Sequence, residues 1–445
     1  MYLPDFSGTL NRRSMITSFT PLGESRFTLD ASGVSGFFGG DEAVSAMATV
    51  HIYTARRWLG WYNTPGSFQI ARQYGRVAKS TVFRAFFPGV RTDSAKLFEF
   101  DGWEGPRFQA VSSGTIMDST GHLASVLMKE CISMDGIHVH GHEGSGVGVT
   151  IVKLTSVPPN TVRPERILTY PSIFAIIPIA VSLAASFASL LYEDWFSFSL
   201  ILWGILSNGI SCVVIGSGTL HFTHHTLPEG SPSGDGILGS GNEFVLLQGH
   251  EDVVNSITLG KFSLDFPSNV HDEYIGWCSI LLTIQFIAQL FLIPQASLFG
   301  QVLFISSLVA SWVYNLLLSS LDKEKIQRRI LLDEILKKPS LKKYTFTTRG
   351  AAVVFSLYIL SPEDPSKILE AYIPNNAKVW TTWKKTVLER FRKKEELHFS
   401  EENWNLPGYT EQEKNLLHSL YGDAQTGYDA FMSEVAKRCT VTDTT

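Results

Sequence analysis

The feature that most constrains this chain is an uncharged stretch from Tyr274 to Ser320, forty-seven residues without an Asp, Glu, Lys, Arg or His. Pro294 and Gln295 divide the stretch near its middle. An α-helix rises about 1.5 Å per residue, so each half is long enough to cross about 30 Å of hydrocarbon. The pattern predicts a transmembrane helical hairpin, and the rest of the chain has to be arranged around a lipid bilayer.

A second uncharged region lies earlier in the chain and has the same form. Ile167 to Tyr192 and Trp195 to Leu220 carry no charge, and only Glu193 and Asp194 separate them. So short a break forces two helices to run antiparallel. We therefore predict an α-helical membrane protein with four transmembrane helices, arranged as two hairpins at residues 167–220 and 274–320.

The segments before and between the hairpins are polar and predict cytosolic domains. We expect residues 1–40 to be disordered and residues 41–160 to form a β-rich domain, because short runs there alternate apolar and polar residues. Residues 221–273 predict a polar cytosolic insert. The strand-like runs are Thr49 to Tyr53, Ser80 to Phe87, Ile137 to His142, Val147 to Leu154, Phe244 to Gln248 and Lys261 to Phe266.

Residues 321–445 predict a basic juxtamembrane helix followed by a small helical cytosolic domain. One helix is expected from Asn376 to Glu396, and another from about Glu411, because Thr410 and Glu413 have the spacing of a capping box. In the first of these helices, one face carries Trp380, Trp383, Val387 and Phe391 and the other faces are basic. Such a helix binds a membrane surface or a protein partner, or its aromatic face closes a domain core.

Basic residues after the last predicted span orient the protein. The two hairpin turns carry acids or no charge, so the positive-inside rule predicts that both termini are cytosolic. Each base near an anionic leaflet contributes about 1 kcal/mol of attraction, which predicts contact with lipid headgroups. The candidate headgroup contacts are Lys323, Lys325, Arg328, Arg329, Lys337 and Lys338.

Four strongly polar side chains lie inside the predicted spans: Asn208, Gln285, Gln289 and Asn315. A carboxamide in hydrocarbon is costly unless it is paired, so we expect all four to face the bundle interior and bond across helices. The functional alternative is that they line a pore or transport path. Coupling to ions or protons usually needs an ionisable group inside the membrane, and the spans contain none.

Two histidine clusters are candidate metal ligands. His221, His224 and His225 would share one face if the second span continued for another turn, and imidazoles at this spacing can bind Zn²⁺ or Fe. His138, His140 and His142 alternate in a predicted strand and would share one side of it. Solvated histidines at a helix end or a sheet edge would have the same pattern. His221 to His225 resembles an HxxHH box of membrane desaturases and hydroxylases, but that family needs two or three such boxes, so we do not transfer its activity.

Several function classes are disfavoured. The chain has no P-loop, GxSxG, HExxH or kinase signature, so we expect no nucleotide or other cofactor and leave enzymatic activity open, with the balance against it. The net charge of −5 gives no general attraction to nucleic acid.

Part of the chain resembles a known group of proteins. The segment from Asp272 to Arg329 resembles multi-pass membrane proteins of filamentous fungi, chiefly basidiomycetes. The resemblance lies in the core from Leu281 to Gln289, in Ile293-Pro294-Gln295 and in the exit from Ser319 to Lys325. That family has no assigned activity, so the resemblance implies a lineage and no mechanism.

Three functional hypotheses arise from the sequence. The leading one is a non-enzymatic, membrane-anchored interaction or scaffolding protein with a cytosolic protein partner. The alternative is a homo-oligomeric channel or transporter whose four carboxamides face a shared axis. The third is a metal-dependent membrane oxidoreductase that uses the histidine clusters.

Overall fold

The computed structural model describes residues 38–53, 55–78, 81–88, 92–155, 173–224, 230, 232–266 and 273–442. They form two compact units, each built from three separate stretches of chain. Described residues within 1–100, 165–220 and 263–322 form the bundle unit, and those within 101–164, 221–262 and 323–445 form the sheet unit. Most of residues 1–40, for which we predict disorder, lie outside the described part.

The described helices are numbered in chain order. They are α1 (Gly40–Met47), α2 (Ser67–Val77), α3 (Thr81–Phe86), α4 (Ser94–Leu97), α5 (His122–Ser133), α6 (Ile176–Leu191), α7 (Trp195–Ile215), α8 (Glu251–Thr258), α9 (Glu273–Leu292), α10 (Leu298–Ser319), α11 (Lys323–Arg329), α12 (Arg349–Leu360), α13 (Pro365–Tyr372), α14 (Lys378–Lys393), α15 (Glu401–Trp404) and α16 (Glu411–Thr442). Short 3₁₀ turns cover Ala48–Val50, Arg56–Trp58 and Ile293–Gln295, and a π-helical turn covers Ile330–Ile335.

The described strands are β1 (Arg107–Ala110), β2 (Ile116–Met117), β3 (Ile137–Val139), β4 (Val147–Lys153), β5 (Thr219–Thr223), β6 (Gly236–Ser240), β7 (Glu243–Gln248), β8 (Lys261–Asp265) and β9 (Ser340–Phe346). Seven of them form one sheet, in the order β2-β1-β6-β7-β4-β9-β3. Strands β5 and β8 pair separately, and the boundary between the two units falls within both.

The bundle unit contains the apolar helices. Among the described residues, three helices are long and apolar enough to cross a membrane, namely Trp195–Ile215, Glu273–Gln295 and Leu298–Ser319. Helix α6 is apolar but has only 16 described residues, and residues 167–172 of the predicted first span lie outside the described part.

The bundle unit has the reverse of the polarity of a water-soluble protein. Large apolar side chains point outwards, and Phe187, Trp277 and Phe291 are 61%, 60% and 70% exposed. Serines instead fill the buried face of α6, at Ser182, Ser186 and Ser189. An apolar exterior, with polar side chains kept inside, is the arrangement that a bilayer favours.

The turns of the two predicted hairpins lie together. Asp194 caps α7 by accepting a hydrogen bond from the Ser197 amide at 3.1 Å. Its Oδ2 also accepts from the amide and hydroxyl of Ser297, at 2.9 Å and 2.5 Å. Ser297 in turn caps α10. One buried carboxylate thus ties the α6–α7 turn to the α9–α10 turn.

Residues 38–88 belong to the bundle unit and are mostly helical, so the β-rich domain predicted over 41–160 is wrong in its first half. The runs predicted as strands from Thr49 and from Ser80 fall in a 3₁₀ turn and in α3. The buried residues Ala43, Ala46, Met47 and Val50 have the helical i, i+3, i+4, i+7 spacing, which a short window misses. Helix α1 packs on α10 and α2 packs along α9.

The sheet unit combines strands that the sequence placed in separate domains. Strand β4 pairs in parallel with β7 and antiparallel with β9, and β9 pairs in parallel with β3. The predicted strands at residues 137, 147 and 244 are confirmed. The separate central insert and the separate helical C-terminal domain are not found, because β6, β7 and β9 join one sheet.

Helix α12 packs against this sheet, and residues of α12, α14 and α16 form much of the unit's main core. The predicted helices over 376–396 and from Glu411 are confirmed as α14 and α16, and Glu413 accepts from the Thr410 amide at 2.8 Å as a capping box requires. Trp383 of α14 is fully buried, and its indole donates to the carbonyl of Leu420 at 2.9 Å. The aromatic face of α14 therefore closes a domain core.

Two buried polar contacts brace the sheet unit. Glu434 of α16 is 1% exposed, accepts from the Tyr344 hydroxyl at 2.6 Å and pairs with Lys342 at 3.0 Å. His122 of α5 is 1% exposed and bonds through Nε2 to Gln327 Oε1 at 2.8 Å. Burial lowers the pKa of His122 from its ordinary value, so the ring is neutral near pH 7 and Nε2 is the donor.

Candidate functional site in the helix bundle

All four carboxamide residues predicted inside the spans are buried. Asn208, Gln285 and Gln289 are 0% exposed and Asn315 is 1% exposed, all within one chain's bundle unit. The Ser207 hydroxyl of α7 donates to Gln285 Oε1 of α9, which is a bond across two apolar helices. A path lined by these side chains would therefore lie inside a single chain and not on an axis shared between subunits.

Asn208 and Asn315 bond to a segment that the sequence placed in a different domain. Residues 59–66, here called the central loop, join the turn at Arg56–Trp58 to α2. Asn208 Nδ2 donates to the carbonyls of Gly60 and Tyr62, at 2.7 Å and 3.2 Å. Asn315 accepts from the Tyr62 hydroxyl at 3.2 Å. Irregular backbone is tolerated inside a membrane protein where side chains satisfy its polar groups in this way.

Asn63 of the central loop contacts α6, α7 and α10 and lies close to α9. Its backbone amide donates to Ser182 of α6 at 3.0 Å, and its Nδ2 donates to Ser307 of α10 at 2.9 Å. A Cβ added at Gly204 of α7 would clash with Asn63 Oδ1 and would lie 3.3 Å from Nε2 of Gln285 on α9. Gly204 and Ser307 lie near the middle of their helices, so Asn63 lies at mid-depth of the bundle.

Several polar atoms of the bundle interior are buried without a hydrogen-bond partner in the described part of the chain. Leaving a buried donor or acceptor unpaired costs about 1–3 kcal/mol, and several such atoms together demand an explanation. They offer both donors and acceptors to an uncharged polar molecule. The atoms are Asn63 Oδ1, Ser67 Oγ, Asn208 Oδ1, Gln285 Nε2 and both side-chain polar atoms of Gln289.

A buried arginine lies beside this cluster. Arg56 is fully buried, and its Nη2 donates to the Tyr62 hydroxyl at 2.7 Å. Its guanidinium lies 5.6 Å and 5.3 Å from the ring centroids of Tyr62 and Tyr314, where cation–π attraction compensates part of its charge. No carboxylate forms an ion pair with it in the described part of the chain. The site therefore carries an excess of positive charge.

Helices α1 and α2 begin next to each other, at the end of the central loop that precedes α2. Gly66, at a φ of +69°, precedes α2, and a Cβ there would clash with the Cα of Gly40, the first residue of α1. Only glycines allow this approach and this backbone conformation. Helix N-termini carry positive partial charge, although Asp41 and Glu42 in the first turn of α1 offset part of it.

Comparison of the chain with protein-family models, with curated proteins and with solved structures gives no match. The resemblance to fungal membrane proteins stays a prediction, and the function has to be inferred from the contacts of the protein itself.

The first histidine cluster lacks the predicted geometry. His221 lies in strand β5, so the helical i, i+3, i+4 arrangement of His221, His224 and His225 is wrong, since a strand sends neighbouring side chains to opposite faces. His225 lies outside the described residues. No group of three or more His, Cys, Asp or Glu that could bind a metal is found where the structure is described.

The second histidine cluster lies at the edge of the large sheet. His138 is in edge strand β3, and His138, His140 and His142 are exposed. His142 Nδ1 lies 3.2 Å from Asp423 Oδ1 of α16. Burial raises the pKa of Asp423, and the bond to His142 partly opposes this rise. Among the described residues, the side-chain partner found for this cluster is thus a single carboxylate, that of Asp423.

The six candidate headgroup contacts divide into two groups. Lys325, Arg329, Lys337 and Lys338 are exposed, as headgroup binding requires. Lys323 is only 9% exposed, and Arg328 pairs with Glu130 at 3.3 Å and with Glu324 at 4.0 Å. Arg328 is therefore engaged by carboxylates of its own unit, which differs from its predicted role.

Proposed function

We propose that this chain is a four-span integral membrane protein with both termini in the cytosol. Three apolar helices have the necessary length, and α6 would be the fourth if it extends into the uncharged residues that precede it. The contact of Asp194 with Ser297 supports placing both turns on the same side of the membrane. The exposed bases after α10 support placing the opposite side in the cytosol.

We further propose that the bundle is a channel or transporter for a small, uncharged polar solute. The observation that carries this proposal is the set of unpartnered polar atoms inside an apolar-surfaced bundle, from Asn63 at mid-depth to Gln289 near the α9–α10 turn. An unsatisfied polar group in a membrane interior costs several kcal/mol, so such a set is expected where a polar solute supplies the missing hydrogen bonds.

The charge of the site indicates the type of solute. A buried arginine and the positive ends of short helices repel cations and protons in membrane pores. Arg56 is buried in the bundle unit, and α1 and α2 begin next to each other in the same unit. With no ionisable residue inside the spans to couple movement to an ion gradient, we propose passive passage of a neutral solute.

The scaffolding hypothesis competes with this proposal. A scaffold needs only an inert membrane anchor, in which a leucine would serve at least as well as the unpaired Gln289. The extensive surface of the sheet unit is compatible with either function.

Flux measurements in proteoliposomes test the proposal. Stopped-flow light scattering would compare the permeability of liposomes with and without the protein to water, urea and glycerol, with K⁺ flux recorded in parallel. We expect faster passage of at least one neutral solute without K⁺ flux, and loss of that passage in Gln289→Leu.

Gln301→Leu is the matched control, because Gln301 is also a buried carboxamide of the bundle but its Nε2 donates to the carbonyl of Ala296, whereas neither polar side-chain atom of Gln289 has a partner among the described residues. Its permeability should equal that of the unmodified protein. Permeability no greater than in protein-free liposomes for every solute, from protein shown to be folded, would refute transport and leave the scaffolding hypothesis.

A further inference from the structure

The sheet unit contains a cavity whose lining shares no residue with the polar cluster of the bundle unit. It lies between α13 and α14 and has a volume of about 380 Å³. Leu369 and Leu388 form apolar walls, and charged side chains surround the rest. Pockets of this size and kind bind small molecules through a few polar groups on an apolar base.

Lys384 is the main buried charge of this cavity. It lies on α14 and is only 8% exposed. Its Nζ makes one long hydrogen bond, to Asn376 Oδ1 at 3.4 Å, so two of its three N–H groups remain available. No carboxylate lies within ion-pair distance of it among the described residues. Burial lowers the pKa of Lys384, as expected for an ammonium that lacks a close counterion.

The charges around the cavity do not balance. Its cations are Lys384, Lys385 and Arg392, and its acids are Glu370 and Glu389, which leaves one positive charge in excess. Glu389 is engaged by Lys385 at 4.0 Å. Glu370 opposes the lowering of the pKa of Lys384 but lies beyond ion-pair distance.

Arg392 lies further along α14 and reaches the same cavity. It is exposed, and its guanidinium has no ion-pair partner in the described part of the chain. A guanidinium forms two parallel bonds to a phosphate and an ammonium adds a point charge, so both kinds of cation that bind phosphate line this cavity.

We propose that this cavity binds the phosphate group of a small molecule, with Lys384 and Arg392 as its main ligands. The phosphate would belong either to a soluble metabolite or to a lipid headgroup. The two sources share the chemistry of recognition. Phosphate binding here does not depend on what the bundle transports.

Titration calorimetry on the full-length protein in detergent tests for this binding. The probes are inorganic phosphate, acetate, short-chain phosphatidylinositol 4-phosphate and short-chain phosphatidylcholine. We expect phosphate to bind and Lys384→Met to weaken binding at least about tenfold, since bonds between charged groups are the strong ones. Arg392→Gln, at an exposed position, should weaken it as well.

Lys367→Met is the matched control, because Lys367 is on α13 but is 64% exposed and pairs with Asp364 outside the cavity. Tighter binding of the inositol lipid than of phosphate, lost in Lys384→Met, would support a lipid source, and binding of phosphate alone would support a soluble one. The proposal fails if phosphate does not bind, if acetate binds equally well, or if neither Lys384→Met nor Arg392→Gln weakens binding.

Discussion

Replacing Asp194 by Asn should destabilise the bundle strongly, because this buried carboxylate ties the two hairpin turns together. Its Oδ2 accepts two hydrogen bonds from Ser297, while Oδ1 caps α7. An asparagine keeps the shape but has one acceptor oxygen. In one orientation its NH₂ group faces the Ser297 amide, and in the other it faces the Ser197 amide at the start of α7, so in either case a backbone donor loses its acceptor.

The magnitude is set by the bonds that are lost. A hydrogen bond to a charged group contributes about 1.5–3 kcal/mol, so losing one or two of them costs about 1.5–6 kcal/mol. Removing a charge that is 7% exposed offsets part of this loss. We therefore expect Asp194→Asn to lower the free energy of unfolding by about 2–4 kcal/mol.

Equilibrium unfolding in mixed micelles, followed by circular dichroism, measures this change. The control is Glu193→Gln, since Glu193 is exposed and a surface charge contributes little, about 0.5 kcal/mol or less. A double-mutant cycle with Ser297→Ala should give a coupling energy of about 1–3 kcal/mol between the two positions. Coupling near zero would show that the two turns do not meet and would refute the paired-hairpin arrangement.

Three further predictions concern the sheet unit. In chemical denaturation, Glu434→Gln should lower the free energy of unfolding of the sheet unit by about 2–4 kcal/mol, because a buried charge network is broken. Glu411→Gln, in an exposed pair on the same helix, should cost about 0.5 kcal/mol or less. Trp383→Ala should cost about 3–5 kcal/mol in the same assay, and a loss below about 1 kcal/mol would contradict its place in the core. The pKa of His122 is lowered in the folded state, so below the ordinary value of 6.5 the unfolded state binds more protons than the folded state. The free energy of unfolding should therefore fall as pH drops from 7 to 5. Subtracting the pH dependence of His122→Gln isolates this loss, and parallel curves for the two proteins would contradict it.

The sequence predicted the features that depend on neighbouring residues. Long uncharged runs indicated the apolar helices, and alternation indicated β4 and β7, because both patterns are local consequences of what surrounds a helix or a strand. The burial of Gln285 and Gln289 was predictable for the same reason, since a carboxamide on an apolar helix avoids lipid.

The central loop could not be predicted because its contacts are remote in sequence. Asn63 bonds to residues 119 and 244 positions away, and its Asn-Thr-Pro-Gly sequence is typical of an ordinary turn. The available signal was indirect: Gly204 and Gly209 inside a spanning helix indicate that another segment packs closely there, and Gly209 in fact faces Trp61. The strand order of the large sheet could not be predicted for the same reason, because its parallel pairs join strands from distant parts of the chain.

The central claim is that the polar cluster inside the bundle is reached from water. Its most direct test is the reactivity of Gln289→Cys with a small neutral methanethiosulfonate in proteoliposomes, in a background without the native cysteines. Ile287→Cys is the matched control, since Ile287 lies two residues away on the same helix and is 46% exposed on the outer, apolar surface. We predict that the thiol at position 289 is labelled and the thiol at position 287 is not. Absence of labelling at position 289 in folded protein, with full labelling after denaturation, would contradict the account.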